Sequence, residues 1–139
     1  MQARARRELL APPEDVWTFV REPHNLPDWW PGLAAVRPDR RGTASGARWQ
    51  LVRNRQPTLF RKPGAGEGLV ITAADPGRRL AFRLLDESLD VELSLEAYAH
   101  RSTLAELRVR GSVLWGPRRT LAREALGRLY DLCQTSADH

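Results

Sequence analysis

Apolar and polar side chains alternate along the chain with two different periods, two residues through its middle and three to four near its C-terminal end. Leu80, Phe82 and Leu84 alternate with Ala81 and Arg83. Leu89, Val91, Leu93 and Leu95 alternate with Asp90, Glu92, Ser94 and Glu96, and Ala105, Leu107 and Val109 with Glu106, Arg108 and Arg110. Side chains of an extended chain point to opposite faces in turn, so these segments predict an antiparallel meander with one dry and one wet face. On the wet face Arg83, Arg108 and Arg110 are expected opposite Asp90, Glu92 and Glu96. From about Trp115-Gly116-Pro117 to about Gln134, the positions Leu121, Ala125, Leu126, Leu129, Leu132 and Cys133 recur at helical spacing, and the proline suits a first helical turn. Such a helix, about 27 Å long at 1.5 Å per residue, matches an eight-residue strand of about 26 Å. One long helix across the dry face of a curved antiparallel sheet, an α+β fold, is the economical arrangement.

The N-terminal half adds strands and short helices. Residues 3–10 read as a strand, and Pro12-Pro13-Glu14-Asp15 supplies a proline-led, acidic helix start before Val16-Trp17-Thr18-Phe19-Val20. The stretch from His24 to Gly32 allows at most one or two helical turns between its prolines, after which Gly32 releases the chain into a strand at about 33–38. Arg48–Val52 predicts a strand with Trp49 and Leu51 on one face, and Leu69–Ala73 a mostly buried one. Between them, 54–68 is rich in proline and glycine and carries the apolar pair Leu59-Phe60, so it is expected to be a loop that touches something. Asp75-Pro76-Gly77 has the chemistry of a tight turn.

Composition narrows the function. The 139 residues, 42% hydrophobic and 28% charged, suit one domain spanning 1–139. No apolar run is long enough to form an integral membrane segment and no secretory signal is visible, which reads as cytoplasmic. The single cysteine, Cys133, excludes an internal disulfide, and with His24, His100 and His139 as the histidines there is no CxxC or HExxH spacing, so neither a metal nor another cofactor is expected. The 22 basic and 17 acidic residues leave +5, compatible with nucleic acid. All basic residues but Lys62 are arginines scattered along the chain, which favours a solvated surface over a nucleic-acid footprint.

The segment Ala11-Pro12-Pro13-Glu14-Asp15-Val16-Trp17, then Asn25-Leu26-Pro27-Asp28-Trp29-Trp30-Pro31-Gly32, then Trp49, resembles the START-related (SRPBCC) superfamily, which includes polyketide cyclases and dehydratases and has a helix-grip fold. The resemblance implies a cavity between the concave sheet face and the C-terminal helix, with its mouth near the short helices and hairpin loops. At about 24 cal/mol per Å³ of void, a dry pocket of about 300 Å³ would cost roughly 7 kcal/mol, and an apolar ligand is the simplest reason to keep one. Candidate ligand contacts are Trp29 and Trp30, of which at least one is expected to pack on the sheet and the other to edge the cavity mouth, Trp49, Phe82, Leu93, Leu107 and Leu129 on the cavity wall, Arg53 toward a ligand carboxylate or enolate, Phe60 in a lid and Trp115 at the floor.

The first functional expectation is therefore a binder of a small hydrophobic or aromatic molecule, lipid- or polyketide-like. The second is a polyketide aromatase/cyclase or dehydratase using the same cavity, and the third a nucleic-acid or anionic-surface binder. His24, Asp28, Arg53, Asp86, Tyr98, His100 and Tyr130 are the polar candidates for chemistry, none at a diagnostic spacing, and no catalytic residue is assigned. The glycine string at 64–68 lacks the spacing of a phosphate loop, and Ser45 and Ser112 have no base beside them in sequence.

Overall fold

The computed structural model describes residues 2–53, 68–111 and 120–137, the last three by backbone alone. Seven strands run β1 (Gln2–Leu9), β2 (Leu33–Pro38), β3 (Arg48–Arg53), β4 (Gly68–Asp75), β5 (Arg79–Leu84), β6 (Leu89–Ala97) and β7 (Thr103–Arg110). They form one sheet in the order β1-β7-β6-β5-β4-β3-β2, every neighbouring pair antiparallel. Between β1 and β2 come α1 (Pro13–Val20), a short three-ten turn at Pro23–Asn25, and α2 (Leu26–Trp29); α3 (Leu121–Ala137) closes the chain. This is the α+β arrangement that the alternation and the terminal periodicity imply, and the helix-grip fold that the resemblance implies.

Local chemistry explains the joints. Pro13 opens α1 where its missing N–H has no helical acceptor, Glu14 and Asp15 face the positive end of the helix dipole, and Asp15 and Val16 donate to the Pro12 carbonyl. In the β4–β5 turn Gly77 has φ +75°, the left-handed backbone that a turn led by Pro76 demands, and Arg78 N–H donates to Asp75 O at 3.0 Å. Thr103, buried completely, donates its hydroxyl to Ala11 O at 2.7 Å and ties β7 to the chain entering α1.

The meander has the expected register: Phe82 opposes Val91 and Val91 opposes Val109, while Leu80, Leu93 and Leu107 line up one pleat away. The wet face differs in detail. Arg83 opposes and binds Asp90 at 2.9 Å, but Glu96 opposes Leu104 and meets no arginine across the ladder. Arg108 lies opposite Glu92 yet bonds Glu106 on its own strand at 3.0 Å, leaving Glu92 to Arg79 at 2.9 Å. Long arginine stems reach either neighbour, so register alone does not choose the partner. The C-terminal helix runs to Ala137, beyond the expected end near Gln134, and the residues where its start is expected, Trp115–Pro117, lie outside the described residues.

Candidate functional site

Antiparallel pairing assembles the concave face in rows. Trp49, Leu69, Leu84 and Leu89 stand side by side across β3 to β6, followed by Phe82, Val91 and Val109, then Leu80, Leu93 and Leu107, each at most 1% exposed. Against this face α3 turns Ala122, Ala125, Leu126 and Leu129, a stripe at three- and four-residue steps, all buried. α3 packs on β1 and β7 and touches α2, so its grip is centred on one flank of the sheet.

Trp29 and Trp30 both enter the interior, which adjacent residues of a helix cannot easily do. They do so because α2 ends between them. Trp30 N–H closes the last turn on Leu26 O at 2.8 Å, while its own backbone is already extended (φ −95°, ψ 125°), and Pro31 prevents another helical turn. Both rings are at most 1% exposed and meet Phe82 edge-on, Trp29 at 6.3 Å and 74°, Trp30 at 5.8 Å and 83°, with 6.2 Å and 86° between the two indoles. Edge-to-face geometry sets the positive rim of one ring against the negative face of the next. Trp49 Nε1 donates to Gly42 O, whereas Trp29 Nε1, equally buried, has no acceptor among the described residues.

Alternate strands end at the same edge of an antiparallel sheet, so Arg53, Leu84 and Arg110 mark one end of it. There Arg53, on the strand face shared with Trp49 and Leu51, reaches the β5–β6 turn. Its guanidinium lies 2.9 Å from Asp86 and 2.6 Å from Glu87, with the arginine side chain 18% exposed. The sequence singles out Arg53 and Asp86 but not Glu87, whose only signal is its place beside Asp86 in the turn after Leu84. The remaining polar candidates do not converge. His24 and Asp28 are exposed, Tyr98 is 64% exposed, and His100 lies in the exposed β6–β7 turn. Tyr130 is half-buried with the Arg7 guanidinium 4.0 Å above its ring. Cys133 is half-buried, and desolvation first, then the negative charge of Asp15, pushes its thiol pKa up. Phe60 and Trp115, with Leu59, lie outside the described residues. Among the described residues no group of histidines, cysteines and carboxylates is placed to hold a metal ion.

At the opposite end, the β2–β3 loop folds over the C-terminus of α1. Asp39 organises it by accepting the N–H groups of Arg48 at 3.0 Å and Arg41 at 2.9 Å, and these bonds, Arg48 first, hold its carboxyl below the ordinary value. A lowered carboxylate pKa favours the folded state above the unfolded-state value, near pH 4, and that contribution is lost as pH falls through the folded-state value. The Asp39→Asn protein is therefore expected to lose less thermal stability than the parent between pH 5 and the acid limit, as read by melting curves. Between this loop, α1 and the β4–β5 turn lies a half-open hollow of about 360 Å³, lined among others by Trp17, Arg21, Pro23, Arg41 and Pro76.

Three comparisons set this geometry among known proteins. A family model described as polyketide cyclase / dehydrase and lipid transport matches residues 1–133. Among solved structures, XoxI from Bacillus cereus superposes with a TM-score of 0.72 at 13% identity, covering 99% of both chains. A protein from Nitrosospira multiformis gives 0.72 at 17% over the whole of each chain. The di-domain aromatase/cyclase BexL of the BE-7585A biosynthetic pathway gives 0.72 at 18%, with this chain covering 48% of its length. No curated protein is significantly similar in sequence. Among the described residues no helix is long and apolar enough to cross a membrane.

Proposed function

The chain belongs to the polyketide cyclase/dehydrase and lipid transport family, within the START-related superfamily, and from that premise we propose that it binds a small hydrophobic or aromatic molecule between the sheet and its helices. The observation that carries the reading is the aromatic cluster of Trp29, Trp30 and Phe82 on the concave face, with one indole N–H buried and unanswered among the described residues. A buried donor without an acceptor costs about 1–3 kcal/mol. A flat ligand bearing a carbonyl would repay it by stacking among the rings and accepting from Trp29. Trp49, Leu93, Leu107 and Leu129 complete the apolar wall, and Phe60 and Trp115 are proposed as lid and floor. Arg53 stands at the mouth, where Asp86 and Glu87 already hold its guanidinium. That pairing favours a neutral ligand over a carboxylate.

The surface supports this reading over nucleic-acid binding. Arg79 and Arg83 pair with Glu92 and Asp90, and Arg4, Arg6 and Arg108 gather around the single carboxylate of Glu106, so these arginines are engaged within the sheet's own outer face. The family description also fits a cyclase, in which the same interior would fold a reactive polyketide. The binder reading rests on the scattering of His24, Asp28, Tyr98 and His100 over the exterior, away from any common reacting atom. The protein is proposed to act in the cytoplasm, where a lone thiol needs no partner.

The neutral ketone 2-acetylnaphthalene tests the proposal by calorimetric titration. The parent is expected to bind it, and Trp29→Phe, which keeps a ring and removes the N–H, to bind about three- to tenfold more weakly, the worth of one hydrogen bond. In the ligand-free variant, relief of the unanswered N–H offsets the void left by the smaller ring, so its stability should lie within about 1 kcal/mol of the parent. Equal affinity in both proteins would remove Trp29 from the site.

A further inference from the structure

The hollow over α1 lies at the other end of the molecule from Arg53, and its walls are fixed before any ligand arrives. Thr43 donates its hydroxyl to Arg21 O, Ser45 donates to Thr72 O at 3.3 Å, and Gly46 N–H donates to Ile71 O at 2.7 Å. Trp49 Nε1 anchors Gly42, and Asp39 pins Arg41 and Arg48 through their backbone N–H groups. The β2–β3 loop is thus fastened at once to α1, β3 and β4, so a ligand entering beneath it orders little more of the chain. At about 360 Å³ the space falls within the range of small-molecule sites.

Its lining has two parts. Trp17, only 9% exposed, lies with Pro23 and Pro76 as flat apolar surface, and Arg21 and Arg41 supply two guanidinium groups. The carboxylate that also lines the hollow, Glu22, accepts from the His24 N–H at 3.3 Å and so caps the following turn. Arg41 spends Nη1 on Gly46 O at 3.2 Å and holds Nε 3.8 Å from Asp39 Oδ2, which leaves Nη2. The Arg21 side chain makes no ion pair or hydrogen bond among the described residues.

We propose that this hollow is a second binding site, separate from the sheet–helix interior, for a small aromatic carboxylate: the ring lies on Trp17 between Pro23 and Pro76, and the carboxylate sits between Arg21 and Arg41. Charge-assisted hydrogen bonds from a planar fork suit a carboxylate, and the apolar strip excludes a bare inorganic anion as the best occupant.

The test titrates isotope-labelled full chain with 1-naphthoate and, in parallel, with the neutral 1-naphthalenemethanol, following backbone amide resonances. Naphthoate should move the amides of Trp17–Glu22, Arg41–Ala44, Asp75 and Gly77, and should bind about tenfold more tightly than the alcohol. Arg21→Gln and Arg41→Gln, both at exposed positions, should each weaken naphthoate about tenfold, leave the alcohol unchanged and preserve the spectrum of the folded protein. Arg79→Gln, on the sheet's outer face, should behave as the parent. Equal binding of acid and alcohol, unchanged naphthoate affinity in Arg21→Gln, or shifts confined to the concave face would each overturn the proposal.

Discussion

Replacing Trp30 with alanine is expected to cost about 3–5 kcal/mol of folding stability, the range for deleting a large buried aromatic side chain. Trp30 is 1% exposed and its ring meets both Trp29 and Phe82 edge-on. The loss therefore combines the transfer term of a large apolar surface with the geometry-specific attraction between rings, about 0.5–1.5 kcal/mol per pair. Relaxation is limited, because Pro31 and the closed turn to Leu26 O fix the backbone on which a neighbour would have to move. Urea denaturation should show the midpoint falling with little change in slope, since the fold and its buried surface are otherwise retained. A loss below 1 kcal/mol would mean that the ring is not packed as described.

The second large effect is expected at Leu129→Ala, about 2–5 kcal/mol. Leu129 is completely buried on the face of α3 that also presents Ala122, Ala125 and Leu126. Ala125, one helical turn before Leu129 on that stripe, is too short to swing into the space it leaves, and Leu126 is itself fully packed. The contrast is Arg128→Ala on the same helix. Its pair with Glu124 spans one helical turn at 3.3 Å with both side chains well exposed, a contact worth about 0.3–0.5 kcal/mol. A helix that merely decorated the sheet would show similar small losses at both positions; one that closes the core separates them by several-fold in energy.

The sheet was readable because burial on one face forces period two, and β6 and β7 keep that period almost without interruption. The N-terminal motif was readable for a different reason, since proline, acidic residues and tryptophan mark a helix start and stop by local chemistry. The site was less so. That Trp29 and Trp30 both point inward depends on α2 ending between them, which spacing within a helix would forbid. Arg53 finds Asp86 across 33 residues of chain, a contact made by the curvature of the sheet and invisible in any window of sequence. The loop around Asp39 draws its shape from polar bonds to α1, β3 and β4, partners that no periodicity announces. The bulge between Leu33 and Ala35 puts one extra residue into β2, so Leu33 and Val36, three apart, are both buried where strict alternation would set them on opposite faces.

The measurement that bears most directly on the account follows the backbone amides of the full chain as 2-acetylnaphthalene is added. The account expects shifts on the inward-facing strands β5, β6 and β7, on α2 around Trp29 and Trp30, and on the Leu126–Leu129 stretch of α3, with the Asp39–Ala47 loop unmoved. Absence of binding, or shifts restricted to the outer surface, would contradict an interior built to hold an apolar guest.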